Sequence, residues 1–237
     1  MTDPDDLGET LFNAYVRQRP DLRAQRHELS GTRRPDFTLS SPSGEVICEV
    51  YSPSLLLDGG GSFDSFGPVG RAFKSRKRKQ GAAAKATNIP YVVVVTDTNS
   101  DVPFGEFDLM VAMFGRERPV HPGQNTRYSA LAVVSSFNPT QARLDKAVEA
   151  RTPNDASLSV SLRVAVETQE ELERSGAFDA TARVCRVRVI HNPWAAVKLP
   201  IEVFSGPHDE QFDFDTASDS GGLVVVFQGP RIAEVDH

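Results

Sequence analysis

Apolar residues near the start of the chain recur at the spacing of a helix. They predict a helix from Asp6 to about Gln18, which Pro20 ends. The apolar positions of this segment are Leu7, Leu11, Ala14 and Tyr15. A shorter run from Leu22 to Leu29 favours a strand. The chain therefore opens with a helix that has one apolar side, followed by the first strand of a sheet.

Two alternating runs on either side of Pro42–Gly44 predict a β-hairpin. The first run begins after Asp36, and the second contains Glu49. Because strand side chains alternate between faces, Glu45, Ile47, Glu49 and Tyr51 share one face, and Val46, Cys48 and Val50 share the other. The hairpin can bring Asp36 and Glu49 close together.

The next segments predict a helix over 71–87 and a buried strand over 89–96. The strand is nearly continuous in β-branched residues, a pattern typical of a central strand covered on both faces. A strand, a helix and a strand in this order predict a sheet with a parallel part. Further along, we expect a short helix over 104–114, a polar loop over 115–127 and a strand over 128–137.

The pattern weakens after Pro139. It indicates a helix over 142–150, strands over 157–168 and 181–190, and a short helix over 168–174. The apolar run over 223–228 is a final strand or a packing segment. Residues 203–222 are rich in acids, Gly and Ser, which favours a loop or a partly disordered segment. We therefore expect a core over residues 1–140 and an α+β elaboration over 141–237 packed on the same domain.

The composition argues against a membrane-spanning protein and against a disulfide-bonded one. The 237 residues have ordinary apolar and charged fractions, and no apolar run is long enough to span a bilayer. We expect no membrane association. The two cysteines form no CxxC motif, which favours buried, reduced thiols in a cytoplasmic protein.

The charge is unevenly distributed. The net charge is −6, yet seven cations lie between residues 71 and 85, and no acid occurs from Ser65 through Thr96. A concentrated basic segment on an acidic chain is suited to an anionic partner such as nucleic acid. The alternative is a solvated helix surface that serves solubility.

The hairpin acids offer candidate chemistry. Two carboxylates at one end of a sheet are suitable ligands for Mg²⁺, which prefers oxygen and keeps some of its waters. The alternative is a surface hairpin with two solvated acids, Asp36 and Glu49.

These features together resemble the PD-(D/E)XK nuclease superfamily. The resemblance rests on Pro35-Asp36, twelve intervening residues, Glu49-Val50-Tyr51, then Lys77-Arg78-Lys79-Gln80 before a buried strand. It covers about residues 7–137. It implies a restriction-endonuclease-like α/β core, with a central mixed sheet flanked by helices in the order α-β-β-β-α-β. It also implies a Mg²⁺- or Mn²⁺-dependent nuclease that acts on DNA, in a role such as defence or repair.

Tyr51 departs from the family pattern, which places a lysine at this position to position and polarise the attacking water. In parts of the family this lysine has moved to the following helix, and Lys77 is the best-placed substitute here, with Lys74 and Lys79 as rivals. Gln80 resembles a glutamine often found on that helix. If no lysine reaches the site, the chain is an inactive nucleic-acid-binding or protein-interaction module.

The resemblance also implies residue roles. Asp36, Glu49 and the carbonyl of Val50 would hold the metal, and Lys77 would lie beside the scissile phosphate. Glu9 is a further candidate carboxylate, or else only a favourable acid in the first turn of its helix; Glu28 and Glu45 are expected at the surface. The DNA backbone would be contacted by Arg71, Lys74, Arg78 and Lys79. A homodimer is compatible with the family.

Two other clusters are of interest. The segment from His191 to Trp194 is interpreted as a turn with Trp194 packed on the core, although it could also line a pocket or stack on a base. The acids of His208-Asp209-Glu210 have no partner ligands at suitable spacing, so we expect an exposed loop there.

Overall fold

The computed structural model describes residues 4–27, 35–52, 87–97, 128–214 and 222–229. The helices predicted over 71–87 and 104–114 and the loop predicted over 115–127 lie outside these residues, apart from Thr87. The described elements are helices and one large sheet, so the general α/β prediction is confirmed.

One sheet contains all eight described strands, in the order in which they occur in the chain. Its strands are β1 (Arg23–Arg26), β2 (Phe37–Ser41), β3 (Gly44–Tyr51), β4 (Tyr91–Asp97), β5 (Ala130–Phe137), β6 (Val184–His191), β7 (Glu210–Phe214) and β8 (Leu223–Gln228). The pairs β1–β2, β2–β3 and β7–β8 are antiparallel, whereas β3–β4, β4–β5 and β6–β7 are parallel. The sheet is therefore mixed, as predicted.

The β2–β3 hairpin is antiparallel and closes through Pro42 and Ser43. Gly44 follows the turn with a φ of 121°, a conformation that residues with a Cβ rarely adopt. Apolar side chains of both strands face the core on one side of the sheet. The turn residues and the alternation thus form the antiparallel hairpin that the sequence predicted.

The strand predicted over 89–96 is β4, and it lies in the interior of the sheet between β3 and β5. Every residue from Tyr91 to Thr96 is buried. A central parallel strand is covered on both faces, which accounts for its unbroken apolar sequence. This prediction is confirmed.

The first helix, α1 (Pro4–Arg17), packs on one face of the sheet. Phe12, Tyr15 and Val16 are buried there with alternate residues of β2 to β6. The opposite face carries a second apolar cluster that includes Val93, Val95, Leu131 and Ile190. Because α1 begins two residues earlier than predicted, Glu9 lies in its second turn.

The chain divides into two compact units, residues 1–135 with 185–237 and residues 136–184. The second unit contains the helices α2 (Gln141–Arg151) and α3 (Leu158–Arg174), which pack together. This division differs from the expected one at residues 140 and 141, because β6, β7 and β8 complete the sheet of the first unit.

Two sequence predictions in the C-terminal part are wrong. The segment 157–168 is not a strand: Ser157 is the N-cap of helix α3, and residues 158–168 form most of that helix. Their apolar residues alternate, but they also recur every fourth residue, and the run continues into strong helix formers at 167–174. The segment 203–222, predicted as a loop, contains β7 and part of a 3-10 helix, Ile201–Phe204.

None of the helices among the described residues is long and apolar enough to cross a membrane.

Candidate functional site

Asp36 and Glu49 occupy facing positions at one end of the β2–β3 hairpin. The last paired residues of the ladder are Phe37 and Cys48, so Asp36 and Glu49 form the next pair outward. Phe37 and Cys48 belong to the cluster under α1, and alternation places the two acids on the other face. Side chains at facing positions of antiparallel strands lie about 5 Å apart at their Cβ atoms. The expected juxtaposition of the two acids is thus a property of the hairpin register.

The Asp36 carboxylate is held by the backbone of β3. The Val50 N–H donates to Asp36 Oδ2 at 2.8 Å, in a partly buried position. Within a strand, the N–H and C=O of one residue point to the same side, so the Val50 carbonyl also lies on the Asp36 side of β3. The hydrogen bond fixes the direction of one carboxylate and brings a main-chain oxygen to the same edge.

The Glu49 side chain is buried, with 6% of its surface exposed. Its register partner in β4 is Val93, which belongs to the apolar cluster on that face. Burial raises the pKa of Cys48, and the negative charge of Asp36 raises it further. The Asp36 charge thus lies close to the buried Cys48 thiol, at the same end of the hairpin as the buried Glu49 side chain.

The donor set fits a hard divalent cation. Two carboxylates and one carbonyl are oxygen ligands, and Mg²⁺ is often bound by one or two carboxylates with its remaining positions occupied by water and substrate. Within the described parts of the chain, no group of three or more His, Cys, Asp or Glu side chains is placed to hold a metal. Asp36 and Glu49 are a pair of acids, and oxygen ligands of this kind are suited to Mg²⁺ or Mn²⁺.

The predicted basic residues of the site fall outside the described residues. They are Lys77 and Gln80, assigned to catalysis, and Arg71, Lys74, Arg78 and Lys79, assigned to nucleic acid. Their roles stay predictions. Tyr51 is half-buried on the same face as Glu49, and its carbonyl accepts a hydrogen bond from Thr96 Oγ1 at 3.3 Å.

Glu9 lies on the α1 side of the sheet. Its Oε2 forms an ion pair of 2.6 Å with Arg26 Nη2, and Glu9 is 19% exposed. Arg26 pairs in register with Phe37, so its side chain belongs to the face opposite Asp36 and Glu49. This contact gives Glu9 a structural partner, and its role as a further carboxylate stays a prediction. Glu45 is exposed, as expected.

His27 is a neighbour of the acid pair that sequence reasoning did not single out. The backbone N–H of His27 donates to the backbone carbonyl of Asp36 at 3.0 Å. Its ring nitrogen Nε2 lies 2.8 Å from Thr38 Oγ1. Facing positions share a face, so β1, β2 and β3 present His27, Asp36 and Glu49 in one row. Only the pairing of β1 with β2 could have revealed this, because the sequence carries no spacing signal for it.

The prediction of an exposed loop at His208–Glu210 is wrong for Asp209, which is 1% exposed. Its Oδ2 accepts hydrogen bonds from Tyr15 Oη (2.7 Å), Arg19 Nη1 (3.0 Å) and the Gly206 N–H (2.7 Å), and its Oδ1 accepts one from the Val187 N–H (2.8 Å). Arg19 is itself only 7% exposed and also pairs with Asp21. With this many donors, the carboxylate serves to join α1 to β6 and the 206–209 turn.

The His191–Trp194 segment is a turn, as interpreted. Asn192 Oδ1 accepts from the Trp194 N–H at 3.1 Å, and the Trp194 ring packs 6.0 Å from that of Phe214. His191 Nε2 lies 2.7 Å from Gln211 Oε1. Burial lowers the pKa of His191, which favours its neutral form.

Comparisons with protein-family models, with curated proteins and with solved structures found no match for this chain.

Proposed function

We propose that the protein is a Mg²⁺- or Mn²⁺-dependent nuclease that hydrolyses phosphodiester bonds of DNA. The observation that carries the proposal is the facing pair Asp36 and Glu49, one carboxylate fixed by the Val50 N–H and the other buried. Two such acids attract a hard cation, and the basic segment over 71–85 supplies positive charge for the DNA backbone.

The chain's own groups have distinct tasks in this proposal. A bound divalent cation would lower the pKa of a water and offset the charge of the transition state. Asp36, Glu49 and the Val50 carbonyl hold and orient that cation. Lys77 places a positive charge beside the scissile phosphate and so stabilises the developing charge. Gln80 would assist from the same predicted helix. Glu9, the further carboxylate predicted from the sequence, is paired with Arg26 on the opposite face of the sheet and has no role in this proposal.

The other cations of the basic segment bind without taking part in the chemistry. Arg71, Lys74, Arg78 and Lys79 contact phosphates, which gives affinity that falls as salt rises. Replacing Lys77 by Ala is therefore expected to abolish cleavage and keep much of the binding, whereas Lys74→Ala and Arg78→Ala weaken binding and flatten its salt dependence. Cleavage by Lys77→Ala at the wild-type rate would refute the assignment of this lysine.

Two substitutions of Asp36 separate its charge from its hydrogen bond. Asp36→Asn keeps an oxygen that can accept from the Val50 N–H, so its free energy of unfolding should stay within about 0.5 kcal/mol of wild type. Asp36→Ala loses a bond to a charged acceptor and should cost about 1.5–3 kcal/mol. Both variants should lose cleavage and Mn²⁺ binding, measured by plasmid nicking and by calorimetry. Equal Mn²⁺ affinity in wild type and Asp36→Asn would refute the metal site.

The second candidate is a nuclease-fold module that binds nucleic acid or protein without cleaving. The observation that favours it is Tyr51 on the Glu49 face, at the position where the family has lysine. Wild type would then cleave no DNA with any divalent metal, and the salt-dependent binding by the basic segment would persist. The two candidates are distinguished by the same cleavage and binding assays.

A further inference from the structure

The face of β1 and β2 that carries the acid pair is polar along its whole length. Residues that face each other across two strands, and residues two apart within one strand, point to the same side of a sheet. The alternate residues Ala24, Phe37 and Leu39 pack in or against the core under α1. The side chains on the other side of these two strands, beyond Asp36 itself, are named here the polar face: Arg23, Gln25, His27, Thr38 and Ser40.

The polar face is the open side of the acid pair. Glu49 faces Val93 of β4, and Val93 faces Leu131 of β5; both apolar residues are 0% exposed. In the opposite direction the row continues to Asp36 and His27, which are half-buried. The neighbouring row also changes from buried to exposed, in the order Tyr91, Ile47, Thr38, Gln25. A ligand bound at the acids can therefore extend over β2 and β1, whereas the side chains of β4 and β5 are covered.

Three side chains of the polar face are available to a ligand. Arg23, Gln25 and Ser40 form no side-chain hydrogen bond or ion pair within the described part of the chain. Arg26, on the opposite face of the same strand, is instead paired with Glu9. The polar face thus presents an unpaired guanidinium, an amide and a hydroxyl, which are groups that contact phosphates and sugars in DNA complexes.

His27 connects these groups to the acid pair. Its Nε2 lies 2.8 Å from Thr38 Oγ1, so the ring lies on the polar face beside Asp36. From His27 to Arg23 the strand advances four residues, or about 14 Å, which equals about four steps of 3.4 Å along a DNA duplex. Hydrogen-bonding groups therefore extend without interruption from the acids to an exposed arginine.

We propose that the polar face binds the sugar–phosphate backbone of DNA on one side of the cleaved bond, with Arg23 and Gln25 as its phosphate contacts. The inference rests on the proposed nuclease function, because it takes the scissile phosphate to lie at Asp36 and Glu49. Arg23 then contacts a phosphate about four nucleotides from that bond.

The chemistry of the surface favours a DNA backbone over a protein partner. Protein interfaces have an apolar centre, and no side chain of the polar face is apolar. β1 carries two arginines and no acid, on a chain with a net charge of −6. The nearest acid in the row of Arg23 is Glu45, two strands or about 10 Å away. An anionic, hydrogen-bonding ligand that continues from the acid pair is therefore the best match.

A matched pair of arginines on opposite faces of β1 tests the inference. Binding of a fluorescently labelled DNA duplex is followed by anisotropy at several salt concentrations, with Ca²⁺ in place of Mg²⁺ so that no bond is cut. Arg23→Ala should raise the Kd about fivefold and lower the slope of log K against log salt by about one. Gln25→Ala should raise the Kd about threefold without changing the slope, since glutamine is uncharged.

Arg26→Ala is the control, because it removes the same charge from the same strand on the opposite face. It should leave the Kd for DNA within about twofold of wild type. Thermal melting checks that all three variants keep the fold. Calorimetry with Mn²⁺ should give the wild-type affinity in Arg23→Ala, because the acid pair is unchanged. In a cleavage assay the loss in Arg23→Ala should appear in KM and not in kcat.

The outcomes separate this inference from the proposed function. If wild type binds DNA, loses affinity in Arg23→Ala but not in Arg26→Ala, and never cuts, the polar face is supported and the nuclease activity is refuted. If wild type cuts and Arg23→Ala binds and cuts equally well, the polar face is refuted and the nuclease activity stands. An equal loss in Arg23→Ala and Arg26→Ala would show a general effect of charge and overturn the inference. A wild type that neither binds nor cuts DNA overturns both.

Discussion

Replacing Asp209 by Asn should destabilise the sheet-bearing unit more than any surface substitution. The Asp209 carboxylate accepts four hydrogen bonds, and its strongest partner by charge, Arg19, is 7% exposed. The asparagine side chain has the same shape as the aspartate side chain. Its NH₂ group would face hydrogen-bond donors and could not accept from them, and the negative charge opposite Arg19 is lost. Breaking one partner of a buried ion pair costs about 3–5 kcal/mol. Because Arg19 still pairs with Asp21 in this variant, we expect a loss of stability in the lower half of that range.

The measurement is denaturant unfolding followed by tryptophan fluorescence. Trp194 is the only tryptophan and lies in the same unit as Asp209. A cost of about 3 kcal/mol would also lower the melting temperature by roughly 6–12 °C for a chain of this size. The matched control is Asp213→Asn, an exposed aspartate on β7, which should change the free energy of unfolding by less than about 0.5 kcal/mol.

The coupling between the two charges gives a second check. If Arg19 and Asp209 act as a pair, the double variant Arg19→Gln, Asp209→Asn should cost less than the sum of the two single variants. A cost below about 1 kcal/mol for Asp209→Asn, or strict additivity in this cycle, would refute the view that this ion pair is a main support of the fold.

The remaining predictions concern pH and packing. Burial raises the pKa of Tyr15 well above 10.0, so its neutral form stabilises the fold below pH 10 and this stability is lost as the pH rises further; Tyr15→Phe should flatten the alkaline limb of a stability–pH curve. Burial lowers the pKa of His191 from 6.5, so neutral His191 stabilises the fold above pH 6.5, and this stability is lost as the pH falls through the lower pKa of the folded state. In urea titrations at a series of pH values, His191→Gln should remove this part of the loss of stability in acid. In Gly8→Ala the added Cβ would lie 2.5 Å from Thr96 Oγ1 and 2.8 Å from Ser52 Cβ, so thermal unfolding should show a stability loss of about 1–3 kcal/mol. A gain in stability, as Ala usually gives in a helix, would contradict this packing.

Local pattern predicts the hairpin and the central strand because both depend on near neighbours. The alternation of β2 and β3 and the turn before Gly44 are sufficient to place Asp36 opposite Glu49. The unbroken apolar run of β4 requires cover on both faces, which only an interior position provides. The candidate acids could therefore be named from the sequence.

Local pattern fails where one sequence satisfies two periods. Residues 157–168 contain apolar residues at both two- and four-residue spacing, so alternation alone favoured a strand. The helical result follows from continuity with 167–174 and from packing against α2. The spacing of apolar residues is therefore weak evidence for a strand or a helix when neighbouring segments determine which side is buried.

Tertiary structure alone decided which polar residues became part of the interior. Tyr15 and Asp209 are 194 positions apart in sequence, and their hydrogen bond exists only because α1 lies over β6 and the 206–209 turn. His27 likewise reaches Asp36 only through the pairing of β1 with β2. The sequence determined by itself the local elements and the facing acids of one hairpin, because adjacent residues constrain each other directly. Contacts between distant segments depend on how the elements pack, and no spacing along the chain encodes them.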